Sequence, residues 1–430
     1  MTPLKTGLMV SVFALVAPLA LMVQAAHATP LDDKVDGALP LVREAYTYLH
    51  QNPELGKKEF KAHDFLKAKL QGLGYTHFVE SKTVPTAVIA VLDTGRPGPV
   101  IALRAEMDAR PLPAGVNEPE TNAVHSLIPG VMHNCGHDIH ASILLGTASI
   151  LMREKDRLKG KIVILFQPAE EVAGGADDIV NEHILDDLGV QKIFAEHVSP
   201  GLPVGTVQVG AGPILAGSNY FTLTLNGRGA HAAEPSAGDE VLLAGTRIAQ
   251  LISEAPARRF DIANRPVVVS LTKFVADSGA TNALPSSVTM EGTIRAFEDL
   301  KTAPEDGASV EATLIGLIDG EAKASHLTYT WSLRKGSPPT VNNPALFQAV
   351  LKPLQSSFPG TVDTNPYKGM ASEDFAYYTA HIQALYFSLG ITKDGLGMGS
   401  LHTAAFTASP DTFRYGLSLM TRLGEIGVGN

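Results

Sequence analysis

Four short apolar stretches in the first half of the chain set the strongest limit on its fold: "TAVIAVLD", "PVIALRAEMD", "KIVILFQPAEE" and "QKIFAEHVSP". None alternates with polar residues. Strands that are apolar without a break are buried on both faces, and here helical patterns such as "IHASILLGTASILMREK" lie between them. This predicts an α/β fold with a mostly parallel central sheet flanked by helices. Three of the stretches end alike. "VIALR" runs into Glu106 and Asp108, "KIVILFQ" into Glu170 and Glu171, and "QKIF" into Glu196 and His197. Ligands collect beyond the carboxyl ends of strands in such sheets, so these groups should meet along one rim.

From Ser218 the pattern changes to alternation in "NYFTLTLNG", "PVVVSLTKFVA", "SVTMEGTIRAFE" and "HLTYTWSLRKG", with helices around "GDEVLLAGTRIAQLISEA" and "ASVEATLIGLI". The order β-α-β-β-α-β with half-buried strands predicts a small α+β unit inserted at residues 215–334. The α/β part is then built from 29–214 and 335–430. It opens with helical segments broken at Asn52-Pro53 and ended by Gly72 and Gly74. It closes with a helix near "PALFQAVLKPLQ", a strand "ALYFSLGI" and a Gly-rich approach to "GSLHTAAF".

A hydrophobic share of 45% with 18% charged residues is that of a globular chain with ample core, and a net charge of −10 without any basic run argues against nucleic acid as a partner. At the N-terminus an apolar run from Gly7 to Val23 is followed by small residues at Ala26 and Ala28. A membrane anchor would read similarly, but Pro18 and the small-residue exit favour a signal peptide, residues 1–28, cleaved after Ala28. The expected product is exported, periplasmic or extracellular, with no stable membrane span.

The only cysteine in the chain is Cys135, in "PGVMHNCGHDIHAS". One cysteine cannot close an intramolecular disulfide, which leaves an apolar filler, a reactive thiol or a metal ligand. In a locally extended segment Cys135 and His137 would project to the same side and could grip one metal, with Asp138 and His140 of the following helix, from about Ile139, as supporting partners. "PAEE" places two carboxylates at a strand end. Adjacent side chains diverge, so Glu171 can bind metal while Glu170 faces substrate as a general base. His197 follows another strand and His402 a Gly-rich loop. Each alone is a weak signal. Together they suit two borderline metal ions with oxygen, nitrogen and sulfur ligands.

The motifs "HNCGHDIHA", "FQPAEE", "FAEHVSP", "NGRGAHAAEP", "SEDFAYY" and "LHTAAF" resemble, in this order and spacing, the metal-dependent amidohydrolases that cleave N-acyl amino acids. That group includes hippurate hydrolase, bacterial N-acyl-amino-acid amidohydrolases, related carboxypeptidases and plant auxin-conjugate hydrolases. The resemblance runs from "LHQNPELG" to "LHTAAF". It implies metal ligands at Cys135, His137, Glu171, His197 and His402 and a base at Glu170. It also implies that His231 stabilises the transition state, often across a dimer, and that Asn282 and Arg295 are on the substrate side, the arginine being suited to a carboxylate. Four positions depart from the usual pattern: Glu106 for Asp, Glu196 for an apolar residue, Ser372 for Gly, and "LHTAAF" without its Pro. None removes an expected ligand.

The expected activity is hydrolysis of an N-acyl amino acid to a carboxylate and a free amino acid, with two divalent ions, zinc or manganese before cobalt or nickel, in a homodimer formed through the inserted unit. A carboxypeptidase or dipeptidase acting on short peptides would use the same site. An exported binding protein is the rival of another class, but it would have no use for Glu170 beside the ligands.

Overall fold

The computed structural model describes residues 30–429 apart from 121, 173, 306, 359 and 367. The expected signal peptide lies outside the described residues. Among those described, no helix is long and apolar enough to cross a membrane.

The central sheet has eight strands in the order Phe78–Val79, Val88–Asp93, Lys161–Gln167, Val100–Glu106, Lys192–Pro203, Gln383–Thr392, Val207–Gln208, Val362–Asp363. The four in the middle, from Lys161–Gln167 to Gln383–Thr392, run parallel. Val88–Asp93 joins antiparallel at one side. Along that strand Val88, Ala90 and Leu92 enter one core cluster, and Ile89 and Val91 another. Both faces are therefore covered, as the unbroken apolar runs require.

One face is covered by the helix His137–Arg153, buried from His137 to Leu151, with Pro30–Gln51 and Thr412–Gly427 packed against it. A helix apolar on all sides is stable only when enclosed in this way. At Gly146 a Cβ would come 2.4 Å from Val42 Cγ2, so only glycine lets these helices approach so closely.

The alternating segments form a separate antiparallel sheet in the order Val267–Val275, Ser287–Ala296, Gly217–Asn226, Thr328–Lys335. Helices Val241–Arg259 and Val310–Ala324 cover one face and share a core with Phe221, Leu223, Val288 and Ile294. The other face carries Tyr220, Thr293 and Arg334, and two of these, Tyr220 and Arg334, line a cavity shared with Glu170 and Glu171.

Candidate metal centre

Cys135 and His137 are not in an extended segment. Gly136 takes φ +85° and ψ 12°, and the helix begins at His137 itself. The left-handed turn is what brings the two side chains together, and a Cβ at Gly136 would lie 2.4 Å from Val198 Cγ2. Ala169, just before the paired glutamates, and His402 also have positive φ, 59° and 63°. Non-glycine residues rarely rest there, and neighbours hold both: the Ala169 N–H donates to Glu59 at 2.9 Å and the His402 N–H to the Asn134 carbonyl at 2.8 Å.

The ring nitrogens are sorted by their partners. His137 Nδ1 donates to Asp108, 2.9 Å from its carbonyl and 3.1 Å from Oδ1, and His197 Nδ1 donates to the Val198 carbonyl at 2.7 Å. Both Nε2 atoms therefore face inward. His137 Nε2 is buried without a hydrogen-bond partner, 3.9 Å from Glu170 Oε2. Cys135 Sγ is 3.5 Å from His197 Nε2 and 3.2 Å from His402 Nε2, which is 3.2 Å from Glu171 Oε1. The donor atoms of Cys135, His137 and His197 lie within 4.8 Å of one another, as do those of Cys135, Glu171 and His402, and of His137, Glu170 and Glu171. Cys135 belongs to two of these groups. An orphaned imidazole nitrogen beside a thiol, two further imidazoles and a carboxylate is a donor set that fits borderline divalent ions.

Residues 102–425 match Peptidase family M20/M25/M40. The chain belongs to this family. It is 33% identical over 382 residues to an IAA-amino acid hydrolase ILR1-like 5 of Arabidopsis thaliana, covering 87% of this chain and 84% of that one. It is 32% identical over 361 residues to an N-acetyl-L-cysteine deacetylase of Bacillus subtilis, covering 84% and 82%. Among solved structures, the YXEP protein of Bacillus subtilis, described as a dinuclear metal-binding peptidase of the M20 family, superposes with a TM-score of 0.76 at 25% identity, over 91% of this chain and 99% of that one. Members of the M20 family are amidohydrolases and peptidases, and this chain is an enzyme of amide-bond hydrolysis.

In the M20 chain the two adjacent glutamates are pushed in opposite directions. Burial would raise the pKa of Glu171, but its contact with His402 and the charges of His137 and Arg110 hold it down at about 2. Arg110 closes on its second oxygen. Glu170 is raised well above the usual carboxylate range by burial and by the neighbouring Glu373 and Asp374. Cys135 shows a similar contest: burial raises the thiol, while the charges of His137 and His197 bring it down to about 6. In return burial lowers His137 and His197, and the thiolate outweighs it, lifting His137 well above its ordinary value and His197 to about 9. A thiol or imidazole must give up its proton to ligate, so cation and proton compete for these atoms. Metal uptake at pH 7 should release protons, seen as a buffer-dependent heat in calorimetry; uptake with no proton release would contradict this donor set.

Supporting partners differ from expectation in one respect. Asp138 turns away to His50 Nδ1 at 2.6 Å, while Asp108 orients His137 and also accepts the Glu171 N–H at 3.0 Å. His140 does join the supporting layer: Nδ1 donates to Glu106 at 2.9 Å and Nε2 accepts the Val198 N–H at 2.9 Å, next to His197. Both its nitrogens are used, and it is no ligand. Beneath lies Arg104, fully buried, donating to Glu106, to Gln167 at 2.9 Å, to Glu373 at 2.9 Å and to Asp374 at 2.7 Å. The unusual Glu196 is tolerated because burial, with Glu106 nearby, raises its pKa to about 8 and leaves it neutral.

The remaining sequence candidates fall in two places. Arg295 lines a cavity that opens onto Glu170, Glu171 and His402, and its Nη1 donates to Ser372 Oγ at 2.8 Å. His231 and Asn282 do not line it. They sit side by side on an exposed ribbon, Ala230–His231 paired with Ala283–Leu284, where the Ala232 N–H donates to the Asn282 carbonyl at 2.8 Å.

Proposed function

We propose that this chain hydrolyses the amide bond of N-acyl amino acids, with two divalent ions held by Cys135, His137, Glu171, His197 and His402. The observation that carries the reading is geometric: the donor atoms of Cys135, His137, Glu171, His197 and His402 converge around a buried, unpartnered His137 Nε2, and Glu170 stands 3.9 Å from that nitrogen. The two adjacent carboxyls differ in surroundings, Glu171 meeting Arg110 and His402 while Glu170 meets no arginine, which suits one to a ligand and the other to a proton carrier. The relatives named as amino-acid conjugate hydrolases and deacetylases support the substrate class.

When bound, the ions would polarise the amide carbonyl and make attack by water feasible near neutral pH. Glu170 accepts the proton that the attacking water loses as its oxygen bonds to the carbonyl carbon. It returns that proton to the amine nitrogen as the C–N bond breaks, so the site ends as it began. Glu171, held ionised by Arg110 and His402, stays a ligand throughout. Asp108 keeps the His137 proton on Nδ1, and Val198 does the same for His197. Arg295 takes the α-carboxylate of the substrate. Cysteine and histidine among the donors favour zinc, with cobalt or nickel as substitutes, whereas manganese would depend on the carboxylate oxygens. Hydrolysis of N-acetyl, N-benzoyl or long-chain N-acyl amino acids by metal-loaded protein is the expected result of a substrate screen. Turnover of short peptides alone, or of nothing, would overturn the reading.

His231 completes the proposal. Exposed and outside its own chain's cavity, it suits a twofold dimer in which each chain lends it to the other's site. His231→Ala should then cost on the order of 10²–10³ in kcat. Mixing it with Glu170→Gln protein under subunit exchange should restore activity, because one site of the heterodimer has both groups. Heterodimers that form without recovery would mean that His231 serves its own chain or is structural. Export, proposed from the apolar N-terminal run, is tested by cell fractionation.

A further inference from the structure

The cavity beside the metal centre is lined by three arginines, Arg110, Arg295 and Arg334, together with Glu170, Glu171 and His402. Arg110 is committed to Glu171. The other two have no carboxylate partner among the described residues: Arg295 bonds only the Ser372 hydroxyl, and the Arg334 guanidinium lies over Tyr220, 4.1 Å from the ring centre.

These two residues are placed by register. Arg295 lies opposite Ser218 and Arg334 opposite Tyr220, on the strands that flank Gly217–Asn226. Two strand spacings of roughly 4.8 Å and a two-residue offset of roughly 7 Å separate their Cα atoms by about 12 Å. Both side chains line the same cavity, so one small molecule held there can meet both. The stacking on Tyr220 reduces the freedom that Arg334 would otherwise lose on binding an anion. One guanidinium suffices for an α-carboxylate. Two without a carboxylate partner, lining one cavity, leave a place for a second anionic group on the same ligand.

We propose that the preferred substrates are N-acyl derivatives of a dicarboxylic amino acid, aspartate or glutamate, with Arg295 on the α-carboxylate and Arg334 on the side-chain carboxylate. This rests on the N-acyl-amino-acid reading of the site. Arg334 then acts on specificity and not on the reacting bond.

The test compares kcat/KM for N-acetyl-L-glutamate and N-acetyl-L-glutamine, which differ only in the charge of the side chain, on metal-loaded wild-type and Arg334→Met protein. A charge-assisted contact predicts a wild-type preference for the glutamate derivative of about 10- to 100-fold. Arg334→Met should abolish it through KM, leaving the glutamine derivative within about threefold. Free L-glutamate should also inhibit wild-type more strongly than L-glutamine, and the variant equally. Equal wild-type rates on the two substrates, or an equal loss on both in the variant, would overturn the assignment of Arg334 while leaving the amidohydrolase reading standing. Failure to hydrolyse any N-acyl amino acid would overturn that reading and this one with it.

Discussion

Glu170→Gln should retain the metal content of the wild-type protein and lose about 10²- to 10⁴-fold in kcat, the range that general acid–base groups supply. The substitution preserves shape and removes the ability to carry a proton from water to the leaving amine. The nearest donor in the centre to Glu170 is His137 Nε2, at 3.9 Å, and no arginine closes on it. Glu171 is the opposite case. One of its oxygens meets Arg110 and the other His402, so Glu171→Gln removes a charge that holds the centre together and should lower metal content as well as rate. Metal analysis of the two purified variants beside their kcat values separates the roles. Equal metal loss in both would collapse the distinction between ligand and base.

Arg104→Met should destabilise the fold by about 3–5 kcal/mol, the usual cost of removing one member of a buried ion pair. Arg104 is 0% exposed and donates to Glu106, Gln167, Glu373 and Asp374 through one planar head. Without it, three carboxyls converge in a site where burial already pushes Asp374 well above its ordinary pKa, and they would have to take up protons to remain there. Arg104→Lys keeps the charge but not the fork, so it should recover only part of the loss. Urea unfolding of the metal-loaded proteins measures both. A loss below about 1 kcal/mol in Arg104→Met would show that the network contributes little to stability.

Arg104 also shows where the sequence stops being informative. In "VIALRAE" it looks like one polar residue in a buried strand, and its partners Glu373 and Asp374 are some 270 positions away. Pattern alone cannot reveal such a contact. The parallel strands were legible because burial on both faces forces unbroken apolar runs, and the inserted β-α-β-β-α-β order because half-buried strands alternate. The placement of Glu170 and Glu171 followed from a strand end on the ligand side of a parallel sheet, whereas His197 lies within Lys192–Pro203 and Cys135 just before the helix His137–Arg153. Local geometry at Cys135 was less accessible. An extended segment and a left-handed turn both bring residues 135 and 137 together; Gly136 takes the second, at φ +85°, where Val198 leaves no room for a Cβ. Asp108 took the role expected of Asp138 because the helix begins at His137, which turns Asp138 toward His50. The helix Thr412–Gly427 went unread, as did the antiparallel placing of Val88–Asp93, since strand direction depends on partners distant in sequence.

The central claim is that this M20 chain cleaves N-acyl amino acids by means of two ions bound around Cys135. Its most direct test is a titration of metal-stripped protein with Zn²⁺ or Mn²⁺ while hydrolysis of an N-acetyl amino acid is followed. Turnover should be absent at the start and rise to a plateau at two equivalents per chain, with Cys135 becoming inaccessible to a thiol reagent over the same range. Full turnover without metal, or none at two bound equivalents against any N-acyl amino acid, would contradict it.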